Sequence, residues 1–247
     1  METGADEIDF DSAASILAPP LPPNVDEFTL ARNRKTNAKR WKYLTSGWTG
    51  IDEVALLCGG PSMNVDWELI RDLKMRGVQI ACVNGSAKWA NDFMLWPTFQ
   101  FVVDARAINV RFTQPVIPGT WYLIADHCAP EILAHLPESH TFIWNPKDFR
   151  CGSTVALCAI PILKAMGIKK LHLFGFDSCM PVTGMHHAYP QPQNDGEAAI
   201  WTPVNGRDFL CTHWMIQQAE EFLEMYPSWG EFEIYGDGLL AHLIRTR

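Results

Sequence analysis

The run VALLCGGPSMN at residues 54–64 constrains the fold more than any other stretch of this chain. Apolar residues stop abruptly at Gly59-Gly60-Pro61-Ser62, and a helical pattern starts at once over Val65–Arg76. A continuous apolar run of this length suits a strand buried on both faces, and a glycine pair followed by a helix suits a tight turn at its carboxyl end. Glycine lets backbone approach a ligand closely, and the first turn of a helix offers free N–H groups to an anion. The loop contains neither GxGxxG nor the GK[ST] of a phosphate-binding P-loop, so any ligand would be held by backbone rather than by a lysine.

The same alternation continues downstream. Strands are predicted over Val54–Cys58, Gln79–Val83, Phe99–Val103, Thr120–Ile124, Thr141–Trp144, Lys170–Gly175 and Phe232–Tyr235. Helices are predicted over Val65–Arg76, Ala87–Asp92, Pro130–Leu136, Ser153–Met166, Arg207–Tyr226 and near Leu239–Ile244. Strand–helix alternation with short links predicts an α/β fold with a Rossmann-like, doubly wound, mostly parallel sheet over 51–247. Residues 1–50 read as an N-terminal arm, partly disordered around its APPLPP segment. The arm carries a helix over 26–44 in which Asp26 and Glu27 precede six basic residues, an order that suits the helix dipole. The stretch 178–206 shows no periodicity and reads as a binding loop.

Composition narrows the function classes. The formal net charge of -8 and pI of 5.4 argue against a general nucleic-acid surface and leave only the basic 32–42 helix as a candidate contact. No apolar run approaches the length of a membrane helix, and the acidic start METGADEIDFD lacks the features of a secretory signal. Seven scattered cysteines, with no CxxC pair, read as reduced thiols in a cytoplasmic protein.

Ligands of doubly wound sheets bind beyond the carboxyl ends of the strands, so the candidate residues are those that follow each strand. They are Gly59, Gly60, Pro61, Ser62 and Asn64 after the first, Asn84, Gly85 and Ser86 after the second, and Asp104 after the third. Gly152, Ser153 and Thr154 open a second apolar helix whose N-terminus suits phosphate, and Asp177 follows the strand LHLFG. In the long loop, His186 and His187 are candidate general bases, because imidazole titrates near neutrality. Adjacent histidines rarely face one site, and neither HExxH nor HxH occurs, so no resident metal is predicted. Mg²⁺ would enter only in phosphoryl transfer, between Asp104, Asp177 and the substrate phosphates.

The order CGGPS, VNGS, VVDAR and CGSTVALCAIPILKAMGIKKLHLFGFDS resembles the 6-hydroxymethylpterin diphosphokinase (MptE)-like family. That group extends to motility-associated glycosyltransferases and phage-encoded proteins, and a similar order occurs in bacterial sialyltransferases that use CMP-sugars. VNGRDFLCTHWMIQQAEEF and IYGDGLLAHL resemble the family's last helix and closing loop, so the likeness spans about 54–247. It implies that Gly59–Ser62 and Asn84 contact a nucleotide, and that Ser153 and Thr154 contact its phosphate or the transferred group. It places His187 and Tyr189 where sialyltransferases carry a catalytic histidine and phosphate-binding tyrosines. The chain has VVDAR and HHAYP where the archaeal pterin enzymes carry motifs resembling TDLDG and HAHGD, which points away from pterin chemistry. The implied activity is a nucleotide-dependent transferase, most simply a glycosyltransferase taking a nucleotide-sugar and an acceptor still to be named. A diphosphokinase and a non-catalytic nucleotide-binding or phage structural protein are the alternatives. A homo-oligomer is compatible with all three.

Overall fold

The computed structural model describes residues 25–45, 50–182, 185–191 and 196–247. The acidic start and the APPLPP segment lie outside the described residues. The helix α1 (Glu27–Asn37) is followed by the short strand β1 (Lys42–Tyr43). Then come β2 (Glu53–Leu57), α2 (Trp67–Met75), β3 (Gln79–Val83), α3 (Ser86–Asp92), β4 (Phe99–Val102) and β5 (Trp121–Ala125). The chain continues through α4 (Pro130–Leu133), β6 (Thr141–Trp144), α5 (Val155–Ala165) and β7 (Lys170–Phe174). It ends with β8 (Ala199–Val204), β9 (Arg207–Thr212), α6 (His213–Met225), β10 (Glu231–Ile234) and α7 (Leu239–Arg245).

Eight strands form one sheet in the order β1-β6-β5-β4-β3-β2-β7-β10, with every neighbouring pair parallel. This is the expected α/β Rossmann-like architecture. Alternation along the strands divides the core into two layers. Val54 and Leu56 face one layer with Leu157 and Ile160 of α5 and Phe222 of α6. Ala55 and Leu57 face the other with Ile70 and Leu73 of α2 and Trp89 of α3. Burial on both faces explains why β2 reads as an unbroken apolar run.

From β2 the chain winds outward through β3, β4, β5 and β6, then crosses back to place β7 on the other side of β2. β2 and β7 are therefore neighbours whose onward connections run in opposite directions. A crevice opens at such a switch point because the loops leaving the two strands diverge.

The N-terminal helix docks through polar groups. Asp26 caps it by accepting from the Thr29 N–H at 2.9 Å. Its inward face carries Asn33 and Asn37, both buried. Asn37 Nδ2 donates to the Asp126 and Cys128 carbonyls at 2.9 and 2.8 Å, and Asn33 Nδ2 to the His127 carbonyl at 3.1 Å. Two basic residues of this segment are committed: Arg34 Nε, on the helix, lies 3.3 Å from the buried carboxylate of Asp126, and Arg40 Nε, just beyond it, 3.0 Å from Glu138. β1 then joins the sheet edge beside β6.

Three predicted elements differ. The basic helix expected over 26–44 ends at Asn37, so Lys39 and Arg40 lie beyond it and Lys42 is in β1. The stretch 178–206, expected to be a loop, contains β8. The helix expected over Arg207–Tyr226 begins only at His213, and Arg207–Thr212 is β9, antiparallel to β8. The reason is the pair Asn205-Gly206, both left-handed (φ 47° and 76°), which is what a two-residue hairpin turn requires. The hairpin is tied to the loop after β7 by the Met180 N–H, which donates to the Leu210 carbonyl at 2.7 Å. All seven cysteines are free. No helix among the described residues is long and apolar enough to cross a membrane.

Asn37→Ala strands two buried carbonyls without their donor. We expect a loss of about 1–3 kcal/mol in urea unfolding. Unchanged stability would mean that α1 is not docked.

Candidate functional site

At the switch point the loops after β2 and β7 are clasped together. Gly60 N–H donates to the Gly175 carbonyl at 2.8 Å. Asp177 accepts from the Ser62 N–H at 3.0 Å and from Ser62 Oγ at 2.6 Å. Pro61 opens the single 3-10 turn Pro61–Asn64 that presents the Ser62 N–H. A Cβ on Gly60 would lie 2.6 Å from the Gly175 carbonyl, so the clasp excludes any side chain there. Asp177 is buried, and desolvation raises its pKa against the opposing Ser62 hydrogen bonds. The predicted anion cradle at Ser62 thus holds the chain's own carboxylate.

The other side of the β2 turn meets the histidine segment. Ala188 N–H donates to the Gly59 carbonyl at 3.0 Å. Asn64 Nδ2 donates to the Ala188 carbonyl at 3.3 Å, while Asn64 Oδ1 accepts from Trp89 Nε1 at 2.9 Å. The Tyr189 ring fills the space above two glycines. A Cβ on Gly59 would lie 2.8 Å from its hydroxyl oxygen, and one on Gly85 2.5 Å from Cε2. Gly59 is also left-handed (φ 100°). Ser86 is internal: its Oγ accepts from the Val83 N–H at 2.9 Å and lies 2.7 Å from the Leu57 carbonyl, tying the ends of β2 and β3. Asn84 is held left-handed (φ 48°), and its Oδ1 is buried without a partner.

A second wall comes from the start of α5. Thr154 caps the helix, accepting from the Leu157 N–H at 3.4 Å and from Gln218 Nε2 at 2.7 Å. Ser153 donates through N–H at 2.6 Å and Oγ at 2.8 Å to one oxygen of Glu221. A Cβ on Gly152 would lie 2.8 Å from that same oxygen. The helix N-termini expected to bind an anion are thus replaced by the serines that precede them: Ser62, on the 3-10 turn before α2, and Ser153, before the Thr154 cap of α5, each donate to a carboxylate supplied by the chain itself.

These walls enclose a cleft of about 1010 Å³. Gly60 and Asn84 line one side, Gly152, Ser153 and Thr154 another, with Asp104, Asp177, His186, His187 and Tyr189 between them. Gly59, Pro61, Ser62, Asn64, Gly85 and Ser86 support the lining without forming it. Asp104 accepts from Arg106 N–H and Nε, each at 3.0 Å, and pairs with Nη2. Burial pushes its pKa up, but the Arg106 bonds and charge outweigh this and leave the carboxyl below its usual range. Arg150 pairs with Glu224 at 2.9 Å, and Trp214 Nε1 donates to Glu197 at 2.7 Å. Arg106, Arg150, Trp214, Gln218 and Glu221 were not singled out in the sequence. For Glu221 a signal was present: Gln217, four residues earlier on the helix, shares its face, and Gln217 Nε2 donates to Glu221 at 3.1 Å.

His186 and His187 stack edge to face at 4.7 Å, and His187 lies 5.7 Å from the Tyr189 ring. Burial, then the neighbouring His186, push the His187 pKa down to about 4. Its Nδ1 is buried and accepts no hydrogen bond. Among the described residues, no group of three His, Cys, Asp or Glu side chains is placed to hold a metal ion.

A parallel sheet with a cleft at its switch point defines a Rossmann-like α/β protein. The profile of the family described as 6-hydroxymethylpterin diphosphokinase MptE-like matches residues 29–183, and the chain belongs to that family. The match starts inside α1 and stops before the β8–β9 hairpin. The fold is similar to that of the MAf glycosyltransferase from Magnetospirillum magneticum AMB-1, with a TM-score of 0.62 at 15% identity over 85% of this chain. This chain spans 36% of that one. It is also similar to a mammalian sialyltransferase solved in complex with Gal-beta-1-3GalNAc-ortho-nitrophenol, with a TM-score of 0.50 at 9% identity, covering 87% of this chain and 80% of that one. At these identities the likeness is one of fold. A sequence search of curated proteins found no match.

The lowered His187 pKa sets a sign. Between its ordinary 6.5 and about 4, the unfolded chain takes up a proton that the folded chain refuses, so stability falls as pH drops through this window. In His187→Gln this contribution to the slope of unfolding free energy against pH should vanish. Equal slopes in both proteins would contradict the burial of this imidazole.

Proposed function

We propose that this protein is a nucleotide-dependent transferase that moves a sugar from a nucleotide-activated donor to a hydroxyl acceptor, with His187 as general base. The observation that carries the reading is an imidazole kept uncharged by burial in the wall of a switch-point cleft, between two serines, Ser62 and Ser153, that each bind a carboxylate through N–H and Oγ. The cleft volume of about 1010 Å³ is in the range that accommodates a nucleotide-sugar. Both fold neighbours are glycosyltransferases, which is consistent with it.

In this reading the acceptor hydroxyl gives its proton to His187 as its oxygen bonds to the anomeric carbon. The bond from that carbon to the phosphate oxygen breaks, and the nucleotide leaves with the electron pair. An imidazole with pKa near 4 is a weak base, but a bound anion favours imidazolium and moves the pKa toward the reaction pH. Glu221 on Ser153 stands in for a phosphate oxygen: the incoming phosphate replaces that carboxylate and receives the same two donors. His186 packs against His187 and Trp214 and shapes the base from behind. Tyr189 and Asn84 contact the nucleotide from the β2–β3 side.

A second reading, Mg²⁺-dependent diphosphate transfer, is favoured by the description of the family. Its candidate ligands Asp104 and Asp177 are engaged by Arg106 and Ser62, so these residues do not by themselves form a cation site, and no step is derived through one.

Thermal shifts with CMP, UDP, GDP and ATP, each with and without Mg²⁺, separate the readings, because a ligand that binds only the folded state raises its melting temperature. We expect shifts with CMP or UDP that ignore Mg²⁺. Shifts confined to ATP with Mg²⁺ would transfer the assignment to diphosphate transfer, and the absence of any shift would favour a non-catalytic protein. Once a donor is identified, His187→Ala should lower turnover about 10²–10⁴-fold, and unchanged turnover would remove His187 as the base.

A further inference from the structure

A row of rings crosses the cleft. Tyr189 packs over the glycines of the β2 and β3 turns and lies 5.7 Å from His187. His187 lies 4.7 Å from His186, and His186 lies 6.0 Å from Trp214, in the first turn of α6. All four side chains line the cleft. His187 therefore stands between a wall made by the β2 and β3 turns and a wall made by α6. Along the α6 wall Trp214, Gln217, Glu221 and Glu224 recur at helical spacing and line the same cavity. About 10 Å of helix separates Trp214 from Glu221, the residue that holds Ser153.

The Trp214 end of this wall has a chemistry of its own. The indole is half-buried, and its Nε1 donates to Glu197 at 2.7 Å, which holds the ring in place. Glu197 lines the cleft beside it. The indole N–H is a neutral donor, so this bond leaves the carboxylate its charge. An ionised carboxylate accepts hydrogen bonds and donates none, and it repels other anions. An aromatic plane beside such a group matches what a neutral sugar ring presents, C–H groups on its face and hydroxyl donors on its rim. The same pair is unsuited to a phosphate or a sugar carboxylate, which separates it from the serine donors at Ser153.

We propose that Trp214 and Glu197 form a saccharide subsite on the α6 side of the cleft. A neutral sugar ring stacks on the Trp214 indole and donates a hydroxyl to Glu197, and its next hydroxyl points past His186 toward His187. Trp214 and Glu197 then select the acceptor, while the β2–β3 side and Ser153 hold the donor. The role of this saccharide as acceptor rests on the transferase reading, whereas the existence of the subsite does not.

The test titrates wild type, Trp214→Ala, Trp214→Phe and Glu197→Gln with glucose, lactose, N-acetylglucosamine, glucuronate and choline, followed by NMR of the backbone amide and indole N–H signals. The Trp214 indole signal is identified as the one lost in Trp214→Phe. In wild type it should shift on addition of at least one of the three neutral saccharides. Trp214→Ala should weaken that saccharide at least about tenfold, and Trp214→Phe, which keeps a ring, should weaken it less. Glucuronate should bind wild type more weakly than glucose, and Glu197→Gln should narrow that gap. No shift with any neutral saccharide, unchanged affinity in Trp214→Ala, or tighter binding of choline or glucuronate than of every neutral saccharide overturns the proposal. If Trp214→Ala does not fold, the wild-type indole shift and the Glu197→Gln comparison decide the outcome. Saccharide binding that depends on Trp214, in a protein that no nucleotide stabilises, keeps the subsite and removes the transferase reading. A thermal shift with CMP or UDP without saccharide binding does the reverse.

Discussion

The cleft depends on a single carboxylate that closes the switch point. Asp177, at the end of β7, accepts two hydrogen bonds from Ser62, beyond the end of β2. Without a partner, the diverging loops at this point would leave free N–H groups and a buried carboxyl facing each other. With it, the first turn after β2 is fixed, Gly60 is pressed against Gly175, and the Gly59 carbonyl is left to receive the Ala188 N–H. The histidine segment is therefore positioned, through two backbone steps, by the same contact that joins the halves of the sheet. Burial at this position raises the pKa of the aspartate, against the Ser62 hydrogen bonds that lower it.

Charge is arranged in the cleft by local pairing. Its acids are each given a donor: Asp177 has Ser62, Asp104 has Arg106, Glu221 has Ser153, Glu224 has Arg150 and Glu197 has Trp214. Pairing of this kind is how an acidic chain, with net charge -8, can offer a site to an anionic ligand. It also leaves any incoming phosphate to displace a carboxylate, for which the two donors of Ser153 are the candidate site.

Much of this architecture was legible because burial writes itself into pattern. The inner strands such as β2 and β5 show as apolar runs, while β10, at the sheet edge, alternates charged and apolar residues, and Gly59-Gly60 marks a tight turn before any topology is known. β1 was hidden because two residues carry no period. The β8–β9 hairpin was hidden differently: Asn205-Gly206 is a strong turn signal, but the helical period of α6 was extended back across it. Residues that line the cleft were legible where they follow a strand, as with Asn84 and Asp104, or cap a helix, as with Thr154. What the sequence could not show is which donor meets which acceptor. Ser62 and Asp177 are 115 positions apart, and nothing local links them.

The most direct test of the switch-point cleft as the ligand site is an amide NMR titration of the assigned protein with CMP and UDP. The account predicts shifts at Gly60, Asn84, Gly152, Ser153, Thr154 and the 186–189 segment, with β1 and β6 at the far edge unmoved. Shifts confined to another surface, or none at saturating nucleotide, would contradict it.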